Sequence, residues 1–222
     1  LQLLIHLKMT GQLIYQAANQ KRVVGGHPTL DWINSLPSKH TRAEIIFTDG
    51  SLLFFNDQRT FGWLKIIENP IEYNKELASF SQIEPLKKSF TPAYLAALLA
   101  KTRRSIKITI MEQSKLAGVG NIYANDALFL AKIDPRRPAN SLSKKESTVL
   151  HTSINTIIAK GIKNGGASAS TYRQLDGFLG SYQKHFLVYK KEGNPCPNQC
   201  GAVINKIKLG GRGTYFCPTC QK

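Results

Sequence analysis

The four cysteines of this chain stand in two close pairs, Cys196-Pro-Asn-Gln-Cys200 and Cys217-Pro-Thr-Cys220, with sixteen residues between them. Two thiol pairs flanking a hairpin-sized insert supply four sulfur ligands to one tetrahedral metal. One structural Zn2+ is therefore expected on Cys196, Cys200, Cys217 and Cys220. A disulfide framework is the weaker alternative, because 222 residues can build a core without staples and the rest of the chain has no cysteine. The insert carries Lys206, Lys208 and Arg212 beside Gly210-Gly211 and Gly213. The metal would thus fix a small basic hairpin whose tip can approach another molecule's backbone. Ribbons of this kind serve nucleic-acid and protein partners alike.

Two further stretches could do chemistry. Gly118-Val119-Gly120-Asn121 lies between helical segments, where glycines permit tight geometry and the next helix points free N–H groups outward. Asn121 can cap that helix or donate to a phosphate; a plain helix–helix turn is the other reading. Asn56-Asp57-Gln58-Arg59-Thr60-Phe61-Gly62 follows a strand and sets Arg59 and Phe61 on one side of an extended chain. Core packing of Phe61 and a solvated Arg59 is the alternative there. Met9, ending the first strand before Gly11, also reads as core.

The charge says what such groups would meet. Thirty Lys and Arg oppose fourteen Asp and Glu, a net charge of +16, and the excess gathers in the second half of the chain. A polyanion is the expected partner, most simply nucleic acid. No apolar run approaches membrane-spanning length, which argues against a membrane protein.

The elements that must position these groups divide the chain. Residues 1–68 read as β structure: Leu1 to Thr10 alternates as a strand, and Asp49-Gly50 joins Ile45–Thr48 to Leu52–Phe55 as a hairpin. Phe61 to Ile67 is a further strand. Asn19 to Lys39 reads as a loop, and 69–90 as a linker. Helices are predicted after the Thr91-Pro92 start, from Asn121, and after the Ser143/Glu146 capping box, the last stopping at Gly165-Gly166. Ala167 to Ser181 reads as a mobile loop. A strand at Leu1 with no lead-in suggests that the chain begins inside a domain.

The pieces, taken in order, resemble the formamidopyrimidine-DNA glycosylases. His6-Leu-Lys-Met-Thr-Gly11, Asp57-Gln-Arg-Thr-Phe-Gly62, Gly118-Val-Gly-Asn-Ile-Tyr-Ala124 and the four-cysteine ending with Arg212-Gly-Thr-Tyr-Phe-Cys217 carry the likeness, which covers essentially the whole chain. The resemblance implies an α+β fold: a partial β-sandwich at 1–68, the linker 69–90, a helix–two-turn–helix domain at 91–188 and a zinc finger at 189–222. It implies base-excision repair of oxidised purines, formamidopyrimidine and 8-oxoguanine, flipped from damaged duplex DNA. Met9, Arg59 and Phe61 would fill the void. Lys107, Asn121 and Arg212 would hold flanking phosphates, with His6, His40 and Arg103 at further DNA contacts. Arg212 would also assist the late β,δ-elimination, and the 167–182 loop would cover the base. A monomer in the bacterial cytoplasm is expected.

Two departures accompany the likeness. The first thiol pair is Cys-x3-Cys where the family usually has Cys-x2-Cys. The family's N-terminal proline nucleophile, its glutamate acid and a lysine that helps elimination would all precede Leu1, so the chain as written is expected not to excise bases. An endonuclease VIII-like enzyme for oxidised pyrimidines, a non-catalytic DNA-binding protein on the same scaffold and an RNA-associated zinc ribbon are the rival readings.

Overall fold

A computed structural model of the chain describes residues 1–26, 35–80, 83–167 and 180–222. They fall into two compact units, Leu1–Leu77 with Gly165–Gln183, and Ala78–Asn164 with Lys184–Lys222. The architecture is α+β, with β-sheets first, helices next and a cysteine-bearing hairpin last. Among the described residues no helix is long and apolar enough to cross a membrane.

Among the described residues the first unit holds two antiparallel sheets. Strand β1 (Gln2–His6) pairs with β6 (Trp63–Ile67). Strands β2 (Gly11–Gln16), β3 (Arg22–Gly26), β4 (Thr41–Ile46) and β5 (Leu52–Asp57) form a second sheet in the order β3-β2-β5-β4. The Asp49-Gly50 turn joins β4 and β5 as expected; the Asp49 carboxylate accepts from Ser51 N at 2.9 Å and Gly50 has φ +80°. Ile14, Phe54 and Phe55 are buried in this sheet.

Three elements differ from the sequence reading. The first strand stops at His6, because Gly11 N closes on Leu7 O at 2.8 Å and turns residues 8–10 out of the sheet. Met9 therefore lies in a turn, and it is exposed rather than core. The stretch Asn19–Lys39 contains β3, whose Val23 pairs with Tyr15; its residues 27–34 lie outside the described ones. The stretch 69–90 contains helix α1 (Pro70–Phe80). Asn69 accepts from Ile71 N at 2.8 Å, Pro70 opens the helix, and Lys65 on β6 bonds Glu76 and lies 3.1 Å from Glu72.

The second unit is helical. Helix α2 (Pro92–Ala100) starts at Thr91, whose hydroxyl accepts from Tyr94 N at 3.1 Å. The short α3 (Ile106–Ile110) and α4 (Asn121–Leu130) follow, then α5 (Lys144–Lys163), opened by the full Ser143/Glu146 capping box. Leu95, Leu99, Ile106, Ile110, Leu128, Leu150, Ile154 and Ile157 form its core. Strands β7 (Asn205–Leu209) and β8 (Arg212–Phe216) pair as a hairpin. Its turn, Gly210-Gly211, has φ +56° and +76°, a conformation that only glycine adopts freely at two successive positions. A Cβ at Gly210 would also stand 2.4 Å from Ile108 Cδ1, so the tip packs close to α3 and a side chain there would have to displace Ile108.

Candidate functional site

In the first unit, Met9 and the Arg59–Phe61 segment form one cluster. Arg59 Nη1 lies 3.6 Å from Met9 Sδ, and its guanidinium carbon stands 4.7 Å over the Phe61 ring. Met9 is 62% exposed and Phe61 56% exposed, so neither is core. Two large apolar side chains in water beside a cation form a patch that gains by burial against something else.

Beneath the cluster lies Asp57, fully buried. Its carboxylate bonds the Thr10 hydroxyl and accepts from Arg59 N at 3.2 Å and Gly62 N at 2.7 Å. Burial alone would push this carboxyl up. The Thr10 hydroxyl and the amides of Gly62, Arg59 and Phe61 outweigh it and hold the group below the usual carboxylate range. A Cβ at Gly62 would stand 2.7 Å from Phe55 Cζ, so the loop can close only on glycine. Sequence reasoning passed over Asp57; its only signal was an acid at the end of a strand.

His6 and His40 belong to the same unit. His6 pairs with Trp63 across the ribbon, and its Nδ1 accepts from Lys8 N at 3.0 Å. Burial first, then Lys8, lowers its pKa; burial, then Lys39 and Arg42, lowers that of His40. Both imidazoles are thereby biased to the neutral form, suited to hydrogen bonding rather than to charge neutralisation.

In the second unit Lys107 and Arg212 meet at strand β8, and Asn125 ties the same strand to the backbone of Asn121. Lys107 Nζ donates to Gly213 O at 3.0 Å and Thr214 Oγ1 at 2.7 Å. Asn125 Oδ1 accepts from Tyr215 N at 2.8 Å, and its Nδ2 donates to Asn121 O at 2.6 Å. The hairpin is thus tied both to α3 and to the first turn of α4, and Arg212 follows the turn as an exposed side chain. Lys107 itself is wholly buried, and its pKa is lowered to about 8 by burial and then by Arg212. Its ammonium fastens the hairpin rather than standing open to an incoming phosphate.

Asn121 is the first helical residue of α4, not its cap; that place belongs to Gly120, which offers no side chain. The leading amides of the helix are left without a side-chain cap. Asn121 Oδ1 is buried without a partner, an unmet polar group at the same helix start. Gln113 holds the preceding loop, accepting from Gly118 N at 3.0 Å and donating to Val119 O at 2.9 Å. Arg103 is exposed between α2 and α3. The 167–182 loop lies for the most part, at 168–179, outside the described residues.

The four thiols converge, with their sulfurs all within 4.8 Å of one another. Cys196 and Cys220 are 3.7 Å apart, Cys200 and Cys217 3.5 Å, and none is in a disulfide. Sulfurs around a tetrahedral zinc at its usual bond length stand about 3.8 Å apart, so the set fits that metal. The additional residue of the first pair is absorbed in a turn where Gln199 and Gly201 have φ +52° and +81°. Cys220 N–H and Asn198 Nδ2 point at sulfurs, at 3.3 and 3.5 Å, as donors that favour thiolate. Cys196 and Cys217 pack with Phe129, Val188 and Ile204, so the metal site rests on α4.

Comparison with known proteins agrees along the whole chain. Residues 1–64 match the formamidopyrimidine-DNA glycosylase N-terminal domain, residues 82–173 the formamidopyrimidine-DNA glycosylase H2TH domain, and residues 193–222 the zinc finger found in FPG and IleRS. The formamidopyrimidine-DNA glycosylase of Neisseria meningitidis is 36% identical over 99% of this chain and 75% of its own length. That of Roseiflexus is 38% identical over 99% and 74%. The Lactococcus lactis Fpg in complex with DNA containing an abasic site superposes with a TM-score of 0.79 at 34% identity, covering 99% of this chain and 74% of that one. The MutM (FPG) protein of Thermus thermophilus gives 0.77 at 36%, covering 99% and 75%.

Proposed function

Since the chain belongs to the formamidopyrimidine-DNA glycosylase family and is a DNA glycosylase of base-excision repair, we propose that its targets are oxidised purines, formamidopyrimidine and 8-oxoguanine, flipped out of duplex DNA. The observation that carries this reading is the exposed cluster of Met9, Arg59 and Phe61. Flipping a nucleotide costs a few kcal/mol of stacking and pairing, and side chains inserted into the vacated space offset that loss. Apolar groups held in water around one guanidinium suit such insertion.

Arg212, Asn121 and the open amides of α4 hold phosphates flanking the lesion, with Lys107 fixing the hairpin beneath them and Arg103, His6 and His40 making further contacts. One structural zinc on Cys196, Cys200, Cys217 and Cys220 holds that hairpin; the metal supplies folding energy, not chemistry. The protein works as a monomer in the bacterial cytoplasm.

The family resemblance supports a bifunctional reaction. A secondary amine attacks the sugar C1′, the N-glycosidic bond breaks as the base departs, and a Schiff base forms. The imine acidifies the neighbouring proton, and β- then δ-elimination release the flanking phosphates, with Arg212 assisting the later step. The resemblance assigns the attacking amine to an N-terminal proline, the acid to a glutamate and further help in elimination to a lysine.

Borohydride trapping and analysis of the released base test the reading, on duplexes carrying 8-oxoguanine or an oxidised pyrimidine. The full-length chain presenting that proline and glutamate should trap the purine duplex. Preferential trapping of the pyrimidine duplex would favour the endonuclease VIII-like alternative. An undiminished adduct after the proline amine is blocked would overturn the assignment of the nucleophile.

A further inference from the structure

We propose that Asp57 is a positioning residue for the DNA wedge, its carboxylate locking the turn that carries Met9 to the loop that carries Arg59 and Phe61. The inference rests on the wedge reading above and adds the part that holds the wedge in register.

The argument starts from what the carboxylate joins. One oxygen bonds the Thr10 hydroxyl, next to Met9, and accepts from Arg59 N at 3.2 Å. The other accepts from Gly62 N at 2.7 Å, next to Phe61. Thr10 Oγ1 also accepts from Arg59 N at 3.3 Å, so the two loops share a single three-way junction. The backbone of Asp57 extends it: Asp57 N donates to His40 O, and Arg42 Nε donates to Asp57 O, both at 2.9 Å. One residue thereby connects three of the segments assigned to DNA contact.

Both loops are strained where they bend. Lys8 has φ +50° and Thr60 has φ +57°, left-handed conformations that side chains other than glycine adopt at a cost, and a β-branched residue most of all. Such bends persist only where the surroundings determine them. Here the determinant is a carboxylate with no exposed surface. Burying a charge is costly unless it is fully hydrogen-bonded.

The core does not account for this expense. The side chains that the junction orients, Met9, Arg59 and Phe61, all stand in solvent. A network that fixes exposed side chains in one arrangement contributes little to folding and much to a surface that must enter DNA without reorganising.

The test compares affinity for a duplex carrying a tetrahydrofuran abasic analogue with affinity for the undamaged duplex of the same sequence. Asp57→Asn keeps the shape but turns an NH2 towards a backbone N–H. It should weaken lesion-duplex binding about tenfold, the lower end of what one charge-assisted hydrogen bond is worth, and leave undamaged-duplex binding within about twofold. Combined with Phe61→Ala, its effect should be less than additive, because both act through the same wedge. Thr10→Val, milder to the fold, should reproduce part of the loss and carries the test if Asp57→Asn does not fold. Equal losses on both duplexes, full additivity with Phe61→Ala, or a folded Thr10→Val with undiminished discrimination would overturn the proposal. Phe61→Ala alone separates the two levels. If it retains discrimination, the wedge reading itself fails; if it loses discrimination while Asp57→Asn and Thr10→Val do not, only the positioning role fails.

Discussion

Lys107 Nζ stands 2.7 Å from the hydroxyl of Thr214, joining helix α3 to the strand that Arg212 begins. The two cations therefore have separate employments: Lys107 holds the hairpin from below, and Arg212 is presented from it. Arg212→Ala should lower the slope of log affinity against log salt by about 0.9, one phosphate contact on B-DNA. Lys107→Met should leave that slope nearly unchanged while lowering the melting temperature, since it strips Gly213 O and Thr214 Oγ1 of their donor at about 1–3 kcal/mol. Binding titrations across a salt series, with thermal melts beside them, check both. A full slope loss for Lys107→Met at wild-type stability would restore Lys107 to direct phosphate contact.

Lys107 also sets an alkaline signature. Its pKa in the folded protein is lowered to about 8, below that of a lysine in the unfolded chain. Between the two values the unfolded state binds the additional proton, so stability contributed by this group rises with pH above about 8. Denaturation midpoints at pH 7.5 and 9.5 should show wild type gaining relative to Lys107→Met. No relative gain would mean that the hairpin acceptors keep the ammonium charged.

At the acid end the capping box of α5 is the sensitive element. The Arg137 guanidinium lies within hydrogen-bond distance of Glu146 at 2.5 Å, and Ser143 N donates to the same carboxylate at 2.7 Å. Arg137, with Ser143, holds the Glu146 carboxyl at about 2 against the opposing effect of burial. The contribution is present above the ordinary glutamate range and is lost as pH falls towards about 2. Ser143→Ala should cost about 1 kcal/mol near neutrality. The difference between Glu146→Gln and wild type should shrink on acidification, read from denaturant midpoints at pH 6 and pH 3.

How much of this was legible depended on sequence distance. The thiol pairs, the Asp49-Gly50 hairpin and the caps at Thr91 and Ser143 were readable because each is decided within a few residues. Helix α1 had a local signal too, Asn69-Pro70 with Glu72 in the first turn, which a polar linker-like context obscured. Met9 was misplaced because hydrophobic alternation runs on past His6, whereas the Gly11-to-Leu7 hydrogen bond ends the strand. The Lys107–Thr214 and Asp57–Thr10 contacts join residues far apart in the chain, and nothing in local composition marks a buried charge by its distant partner.

Zinc should be present at one equivalent per chain, by metal analysis. Chelation should disorder the hairpin, expose Phe129 and weaken DNA binding, because the metal-bearing cysteines share a core with α4. Cys200→Ser should do the same in part. A chain that binds DNA at full strength after complete metal removal would contradict the structural role.

The wedge is the central claim, and Phe61→Ala tests it most directly, with lesion-duplex and undamaged-duplex affinities measured side by side. The ring is 56% exposed, so its removal should leave the fold intact. The account predicts that 8-oxoguanine-duplex affinity falls by about tenfold, in keeping with the few kcal/mol at stake in unstacking, while undamaged-duplex affinity stays within about twofold. Equal change on the two duplexes would show that Phe61 does not enter DNA at the lesion.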